Sequence, residues 1–452
     1  MNQDYDVIVL GTGFQGGTLA GLLAKFAKIN PEHQFTKILL LDREKKDEII
    51  SECKSLSMKR LYNMFHQTEN YPSKYGDNRE WNIDLIPKFV LANGLVVKLF
   101  IKMGIQEALN WMCIEKVYVY QVSKSLLGKM KGSIHKVPQT PKEALSSGLM
   151  SLLDKSRCKS FMEFVEQYNE NDQKTWKKYP PSTPFQTVAK DFSLNSNIMD
   201  FLGHAVALNI DENFLTEPLI NTVKKMQVYY NSLGLYGNTP FLYPINGLSG
   251  LPFMFERCCL CRGGVSMRKN VDEILFDENG KFKGIRSGNE IAKAKYLITD
   301  PLHIEKFGKV KSVGKVIRCI CLLDHPVIED AKSCQIILPQ KQLNRHNDIF
   351  IISFGSEMEV CPKGFYLAFI STKIETSNPR EEIKPALDLL GNIVESFERI
   401  TDLYEPIDDK FNDNIFVFKS LDPLSHFEND VSEIFKMYEK ITGQKIDVDE
   451  IN

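Results

Sequence analysis

A glycine-rich turn near the start of the chain has the spacing of a dinucleotide-binding loop. Gly11, Gly13 and Gly16 fit the pattern G-x-G-x-x-G and follow the apolar run YDVIVL. In such loops the first Gly permits a tight turn, the second lets the backbone approach a diphosphate, and the third lets the helix pack on the strand. Asp42 ends the next apolar run, where an acid would bind a ribose hydroxyl. The spacing therefore predicts a dinucleotide-binding fold.

The segments that hold the cofactor in flavoproteins of this kind are missing from the sequence. Where those proteins have a Gly-Gly pair after the ribose-binding acid, this chain has EKKDE at residues 44–48, whose carboxylates would repel a diphosphate. Residues 421–423 (LDP) replace a Gly-Asp segment near the carboxyl end, and residues 299–301 (TDP) replace a strand end of the form Ala-x-Gly. We therefore predict the fold without bound FAD or NAD. An FAD-dependent oxidoreductase is the alternative.

Other residues that could carry chemistry point to structural roles. The run CCLC at residues 258–261 has one C-x-x-C pair without a second pair or a nearby His, which argues against zinc. GLSG at residues 247–250 is not a G-x-S-x-G nucleophile elbow and is more typical of a turn. His204 lies in an apolar helical pattern, where a hydrogen-bonded core histidine is more common than a catalytic base. We predict no catalytic residue and no metal site.

The elements expected around the glycine turn form a βαβ unit. Residues 5–10 and 38–41 read as strands buried on both faces of a parallel sheet, and residues 18–27 read as the helix between them. The middle of the chain has helical periodicity instead, in residues 144–153, 161–168, 187–192 and 198–210. The expected fold class is α/β: a flavoprotein-like, Rossmann-type domain (1–140 and 222–452) with an inserted all-helical domain (141–221).

The carboxyl-terminal half reads as sheet-rich with helices near its end. Residues 277–280 (DENG) indicate a hairpin turn. The β-rich segments are residues 295–299, 316–323 and 365–371, and the amphipathic helical patterns are residues 381–400 and 431–441.

Composition limits the possible partners. The 452 residues carry 56 basic and 58 acidic side chains, a net charge of -2, which removes the general attraction that nucleic acid or an anionic membrane requires. No apolar run approaches the length of a bilayer span. The amino terminus lacks a secretory pattern, and the ten cysteines have no regular spacing, as in a reducing compartment. We expect a cytoplasmic protein that does not bind nucleic acid.

Several longer runs make the chain resemble the Rab GDP-dissociation inhibitor family along nearly its whole length. These runs are residues 5–13 (YDVIVLGTG), 42–43 (DR), 81–89 (WNIDLIPKF), 135–138 (HKVP), 200–208 (DFLGHAVAL), 236–244 (YGNTPFLYP), 316–321 (VIRCIC), 333–339 (SCQIILP) and 425–428 (SHFE). The resemblance implies no catalysis, no cofactor and a monomer that binds prenylated, GDP-bound Rab GTPases with transient membrane contact. The related Rab escort proteins, which present Rab for geranylgeranylation, are usually longer and are the second alternative.

The resemblance also suggests which residues contact the GTPase. Arg257 and Met267 match residues of the family's Rab-binding platform, whereas Gly250 stands where the family commonly has a carboxylate. We add Trp81 and Asp84 to this surface. For them a second interpretation stays open, namely local hydrogen bonding that fixes a loop.

The helical insert has more apolar positions than short helices need for one compact core. We hypothesise that some of them line a pocket for the geranylgeranyl chain, which is the lipid that the family's partners carry. The alternative is a closed helical core. The candidates are Leu149, Leu153, Met162, Phe164, Ile198, Phe201 and Ala205.

Overall fold

The computed structural model describes residues 1–30, 33–35, 37–43, 54–124, 130–139, 143, 151–408 and 410–449. Three sheets and two two-stranded ribbons account for its strands. The strands are β1 (Asp4–Leu10), β2 (Lys28–Asn30), β3 (His33–Gln34), β4 (Ile38–Asp42), β5 (Ser55–Leu56), β6 (Ile83–Asp84), β7 (Val90–Leu91), β8 (Trp111–Cys113), β9 (Lys116–Lys124), β10 (Met130–Lys136), β11 (Phe241–Pro244), β12 (Val265–Arg268), β13 (Glu273–Phe276), β14 (Phe282–Ser287), β15 (Glu290–Thr299), β16 (Val310–Leu323), β17 (Ser333–Leu338), β18 (Ile349–Gly355), β19 (Tyr366–Lys373), β20 (Glu395–Pro406) and β21 (Ile415–Val417).

The α-helices fall into an amino-terminal set, a cluster in the middle of the chain and a few later ones. In chain order they are α1 (Phe14–Phe26), α2 (Met58–His66), α3 (Leu95–Met103), α4 (Leu152–Gln167), α5 (Phe185–Asp191), α6 (Ser196–Asp200), α7 (Leu219–Ser232), α8 (Gly250–Leu260), α9 (Pro301–Ile304), α10 (Pro379–Glu382), α11 (Lys384–Leu389) and α12 (Glu428–Thr442).

The first sheet confirms the predicted βαβ unit. Its strand order is β12-β4-β1-β15-β14-β13, and β21 also pairs with β15. The pairs β12–β4, β4–β1, β1–β15 and β15–β21 are parallel. The central strands β1 and β4 are buried on both faces, as their continuous apolar sequences predict. The hairpin expected at residues 277–280 joins β13 to β14, with Gly280 at φ +74°.

Helix α1 begins earlier than the pattern at residues 18–27 predicts. It starts at Phe14, directly after Gly13, and ends at Phe26. Apolar periodicity detects only the part of a helix that has large side chains, so Gly16 and Gly17 conceal the first turn. They permit close packing there, since a Cβ at Gly17 would lie 3.3 Å from the Pro252 carbonyl oxygen in α8.

The second sheet has the order β10-β9-β17-β18-β19-β16-β20, and it corrects one prediction. Residues 381–400 do not form one amphipathic helix. Helix α10 ends at Glu382 and α11 ends at Leu389. Gly391 then turns the chain at φ +74°, and β20 begins at Glu395. Strand β20 pairs with β16 from Glu395 to Pro406. This long-range ladder overrides the local helical pattern.

The middle of the chain is helical, as predicted, and we call residues 152–232 the helical region. Most of the helix expected at 144–153 lies outside the described residues. The helix expected at 198–210 is instead α6 followed by a π-helical turn, Phe201–Val206. The boundary expected at 221 falls inside α7, which continues to Ser232. We therefore propose that the helical domain ends near residue 232.

Candidate functional site

The glycine turn between β1 and α1 is filled by a side chain from the end of β15. The carboxylate of Asp300 lies so close to Gly11 that a Cβ at position 11 would stand 2.2 Å from its Oδ2 atom. Gly11 also has a φ of +99°, which glycine adopts at no steric cost. The chain's own packing therefore requires a glycine here, independently of any cofactor.

Asp300 carries its negative charge into the loop. Its Oδ2 atom lies 2.7 Å from Nδ1 of His303, and its Oδ1 atom accepts the His303 backbone N–H at 3.0 Å. Burial raises the pKa of Asp300, but the charge and hydrogen bonds of His303 outweigh burial and hold the pKa below its ordinary value. Asp300 is therefore a carboxylate at neutral pH.

Asp42, the expected ribose-binding acid, is already engaged by the protein. Its Oδ2 atom accepts hydrogen bonds from Thr12 Oγ1 and Lys54 Nζ, both at 3.3 Å. Nε2 of His303 lies 4.0 Å from its Oδ1 atom. A diphosphate in this loop would meet the Asp300 carboxylate instead of open backbone N–H groups. The residues present do not fit FAD or NAD.

We expect Gly11→Ala to lower the free energy of unfolding, measured by urea denaturation, by about 1–3 kcal/mol. The new methyl group would collide with Asp300 in a backbone conformation that alanine disfavours. Gly280→Ala is the matched control, because Gly280 has a φ of +74° with nothing within 4 Å of a Cβ. Equal losses in the two variants would show that the contact with Asp300 has no energetic weight.

A second candidate surface is the outer face of α8. This helix packs its buried side, including Phe255, against α1, where a Cβ at Gly21 would lie 2.8 Å from the Phe255 carbonyl oxygen. Its outward side presents Phe253, Arg257 and Leu260, which are four and three residues apart and thus share a face. Phe253 is 51% exposed and Leu260 37%. An exposed aromatic next to an arginine is typical of a protein-binding surface.

Met267 lies on the edge of the first sheet, and its side chain packs on the face opposite to the one that α8 covers. It is on β12, which pairs with β4 on one side only. Met267 is half-buried against the apolar cluster of the sheet, whereas its neighbours Ser266 and Arg268 are exposed. The structure therefore places Arg257 and Met267 on the consecutive elements α8 and β12.

Gly250 is the first residue of α8. A Cβ at this position would lie 2.6 Å from Cδ2 of Leu109, which is the end of a flexible side chain. Residues 44–48, which replace the Gly-Gly pair of flavoproteins, lie outside the described residues.

The structure corrects the expected direct contacts of Trp81 and Asp84, because both side chains are buried, with 1% exposure each. The Trp81 indole N–H donates to the Tyr75 carbonyl oxygen at 2.9 Å. Asp84 accepts hydrogen bonds from Ser55 Oγ at 2.6 Å and from the backbone N–H of Leu248 at 3.1 Å. The loop-fixing interpretation is therefore favoured for both residues. Asp84 fixes the turn that leads into α8.

The candidate lipid-binding residues divide by burial. Phe164, Ile198 and Ala205 are fully buried, and Met162 and Phe201 are half-buried. Leu153 is 61% exposed at the start of α4, beside Leu152 at 81%, and Leu149 lies outside the described residues. Phe164 packs among aromatic rings of the helical core, including Phe161, Tyr179 and Phe192. The buried candidates thus form a core, and the exposed leucines are the accessible apolar surface.

A buried charged cluster joins the helical region to the second sheet, and nothing in the sequence indicated it. We call it the His204 cluster; its members are His204, Asp200, Glu212, Lys341 and Asp348. Nδ1 of His204 lies 2.8 Å from Asp348 Oδ2, and its Nε2 lies 3.1 Å from Glu212 Oε1. Nζ of Lys341 lies 2.8 Å from Glu212 Oε2 and 3.4 Å from Asp200 Oδ1. The expectation of a core histidine with hydrogen-bond partners is thus confirmed.

The charges of this cluster support one another. Burial opposes the charged form of His204, but Asp348 and Glu212 outweigh it and raise the pKa of His204 to about 10. Burial likewise raises the pKa of Glu212, but hydrogen bonds from His204 and Lys341 lower it to about 2. Asp200, His204 and Glu212 have ligand atoms close enough for a metal ion. The Lys341 ammonium contacts both the Asp200 and the Glu212 carboxylate, so these two acids already share a cation of the protein's own.

The geometry defines a class of protein: it has a dinucleotide-binding fold, but its glycine loop is filled by the chain's own side chains. An oxidoreductase from Methanosarcina mazei has the same fold, with a TM-score of 0.60 and 15% identity over 97% of this chain and 100% of that one. At this identity the likeness concerns the fold alone. It confirms the predicted flavoprotein-like fold class.

Similarity to known proteins over the whole length of the chain identifies its family. The model described as GDP dissociation inhibitor matches residues 1–452. The chain is 40% identical to the probable secretory pathway GDP dissociation inhibitor 1 of Schizosaccharomyces pombe, over 98% of this chain and 97% of the relative. The crystal structure of Rab GDI from Plasmodium falciparum is similar with a TM-score of 0.89 and 41% identity, over 99% of this chain and 100% of that one. The chain belongs to the GDP dissociation inhibitor family.

In the part of the chain that the structure describes, no helix is both long enough and apolar enough to cross a bilayer.

Proposed function

We propose that the chain is a GDP-dissociation inhibitor of Rab GTPases. It binds prenylated, GDP-bound Rab, slows GDP release, extracts Rab from membranes and recycles it in vesicular transport. Membership of the family supports this proposal, as does the likeness to a structure titled Rab GDI. The observation that carries it is the exposed face of α8, where Arg257 stands between Phe253 and Leu260 beside the sheet edge that holds Met267.

The proposed GTPase-binding surface consists of this face and the start of α8. Arg257 supplies a charged anchor, Phe253 and Leu260 supply apolar area, and Gly250 leaves the amino end of the helix without a carboxylate. Asp84 acts from beneath, because it holds the turn at Leu248 that sets the start of α8. It is therefore a positioning residue in this proposal, whereas Trp81 fixes its own loop through the Tyr75 carbonyl oxygen.

The proposed lipid site is the helical region. Leu153 offers an exposed apolar position at the start of α4, and the half-buried Met162 and Phe201 are further apolar side chains proposed to contact the lipid. Each CH₂ removed from water contributes about 0.8 kcal/mol, so a twenty-carbon geranylgeranyl chain supplies several kcal/mol after ordering costs. The lipid chain can reach Phe164, Ile198 and Ala205 only if the helical core opens.

Binding at both sites gives the mechanism without any catalytic step. A protein that prefers the GDP form to the nucleotide-free form tightens GDP binding by linkage, and we expect the tighter binding to appear as slower GDP release. By mass action it also draws the lipidated GTPase off the bilayer, because the lipid is held in solution. This scheme requires a cytoplasmic monomer that contacts membranes only transiently. The filled glycine loop is the observation that disfavours the oxidoreductase alternative.

We expect the protein to extract prenylated Rab-GDP from liposomes and to leave Rab-GTP largely in place, measured by sedimentation of the liposomes. Equal extraction of both nucleotide states would contradict the inhibitor function. Unprenylated Rab-GDP should bind more weakly than the prenylated form in calorimetry, and equal affinities would rule out a lipid site.

We expect Leu153→Asp to weaken binding of prenylated Rab-GDP while leaving the unprenylated form unchanged, because a charge at an exposed lipid-contacting position disfavours the lipid alone. Leu235→Asp is a matched control, since Leu235 is also an exposed leucine, at 53%, and lies outside the helical region. Calorimetry with both Rab forms separates the effects. Loss of affinity for the unprenylated form would place Leu153 on the protein-binding surface instead.

A further inference from the structure

Two arginines face each other on neighbouring strands of the second sheet. The antiparallel register of β16 and β20 puts Arg318 directly opposite Arg399. Like charges in opposite positions on paired strands destabilise a sheet. The repulsion between the two side chains is smaller when a negatively charged group lies between them.

The pair lines a small cleft on the face of the sheet that α2 covers. The cleft holds the two arginines and Thr401, and its walls are apolar side chains that include Phe65 and Phe397. It encloses about 20 Å³, which is room for one water-sized atom or one ligand oxygen. The cleft therefore combines two guanidinium groups and a hydroxyl in a low-dielectric setting.

The two guanidinium groups are not neutralised by the protein. Arg318 donates to Thr401 Oγ1 at 2.9 Å and to the carbonyl oxygens of Leu421 and Asp422 at 3.2 and 3.4 Å. None of these contacts is to a carboxylate. For Arg399, the described residues include no hydrogen-bonding or ion-pair partner. Burial, together with the positive charge of Arg318, lowers its pKa to about 10.

The nearest acids are committed elsewhere. Asp422 and Asp430 attract Arg318, but their carboxylates bind the fully buried Lys88 at 2.5 and 2.8 Å. Arg318 thus shares these two carboxylates with Lys88. The neighbouring His426 adds no charge, because burial lowers its pKa to about 4 and leaves it neutral.

We propose that this cleft is an anion site in which Arg318, Arg399 and Thr401 bind an oxyanion, either a free phosphate or a small carboxylate. Arginine's planar fork suits both groups, and charge-assisted hydrogen bonds of this kind are among the stronger ones. One oxygen enters the cleft and the remaining oxygens stay at its mouth. The site is separate from the α8 face and does not depend on GTPase binding.

The test is calorimetric titration of the full chain with inorganic phosphate and, separately, with acetate, at constant ionic strength set with chloride. We expect saturable binding of at least one anion and a thermal midpoint that rises with its concentration. Arg399→Gln should weaken that binding at least about tenfold. The anion affinity of Arg399→Lys should lie between those of the unmodified chain and Arg399→Gln, because lysine keeps the positive charge but lacks the planar guanidinium group. Binding of phosphate but not acetate, or the reverse, identifies the source.

Folding of the variant is part of the test. Arg399→Gln removes an uncompensated cation, so in anion-free buffer its thermal midpoint should equal or exceed that of the unmodified chain. Lys311→Gln, an exposed lysine on the same strand as Arg318, is the control for a general charge effect. The proposal is overturned if neither anion binds the unmodified chain, or if Arg399→Gln binds the anion as tightly as the unmodified chain does. It is also overturned if Lys311→Gln weakens binding as much as Arg399→Gln does, or if Arg399→Gln is less stable than the unmodified chain in anion-free buffer.

Discussion

Arg257→Ala should weaken binding to prenylated Rab-GDP at least about tenfold, which corresponds to 1.4 kcal/mol. We expect a large loss of affinity because Arg257 is exposed on the outer face of α8 between two exposed apolar side chains, Phe253 and Leu260. Arginines that become desolvated beside apolar contacts typically dominate such interfaces, and their truncation costs about 2 kcal/mol or more. Isothermal titration calorimetry with GDP-loaded Rab measures the change.

Arg286→Ala is the matched control for this variant. Arg286 is also a half-exposed arginine, but it lies on β14, toward the opposite edge of the first sheet. Its truncation should leave affinity unchanged. An Arg257→Ala variant that folds normally and binds with full affinity would exclude the α8 face as the GTPase-binding surface.

Gly250→Glu tests the same face in the opposite direction. The added side chain starts on the first turn of α8, where a carboxylate is favourable to the helix, and only the flexible end of Leu109 must move. If the missing acid limits affinity, Gly250→Glu should tighten Rab binding. An unchanged dissociation constant would show that this chain's surface does not use that contact.

Local sequence was sufficient to predict the βαβ unit, since a buried strand, a glycine turn and a second strand are all encoded by neighbouring residues. The same reasoning failed at residues 381–400. Their apolar spacing suits a helix, but β20 is selected by a twelve-residue ladder with β16, from Glu395 to Pro406, which no local pattern reveals. Gly391 was the one local signal that the helix had to end.

The sequence could suggest residues for the candidate surface but not which of them are exposed. Arg257 and Met267 were found through resemblance, and the structure places them on adjoining elements. Trp81 was assigned to the surface although its indole is buried, because sequence cannot distinguish an aromatic anchor from one that fixes a loop. In the sequence, Asp300 is only the middle residue of the TDP segment (299–301) that replaces Ala-x-Gly, and no local pattern indicates its role. Its position against Gly11 depends on the parallel pairing of β1 with β15, almost 300 residues apart in sequence.

The His204 cluster was beyond sequence reasoning for the same reason. His204 lies in the π-helical turn Phe201–Val206, whereas Asp348 precedes β18, so their ion pair links residues 144 positions apart. Gly203, next to His204, admits the ring of Phe214, which would lie 2.3 Å from a Cβ at that position. The cluster therefore combines tight packing with charge at the junction between the helical region and the second sheet.

His204→Gln should lower the free energy of unfolding by about 3–5 kcal/mol, because it removes one partner of a buried pair and leaves Asp348, with 0% exposure, uncompensated. Urea denaturation measures the loss. His66→Gln is the control: His66 forms a half-exposed pair with Glu395 at 3.5 Å, and its removal should cost no more than about 1 kcal/mol. Losses of similar size in the two variants would show that the buried cluster is not a major source of stability.

The same pair predicts how stability depends on pH. Folding raises the pKa of His204 from 6.5 to about 10, so the folded state binds the proton more tightly. The stabilisation is therefore complete below pH 6.5 and declines as the pH rises towards 10. Glu212, with its pKa lowered to about 2, shows the opposite dependence: its stabilising contribution is complete above its ordinary pKa of 4.5 and is lost as the pH falls towards 2. The stability difference between the unmodified chain and His204→Gln should thus be greatest near pH 6 and shrink in alkaline buffer. A difference that stays constant from pH 6 to pH 10 would mean that folding does not raise the pKa of His204 and that its charge does not stabilise the junction.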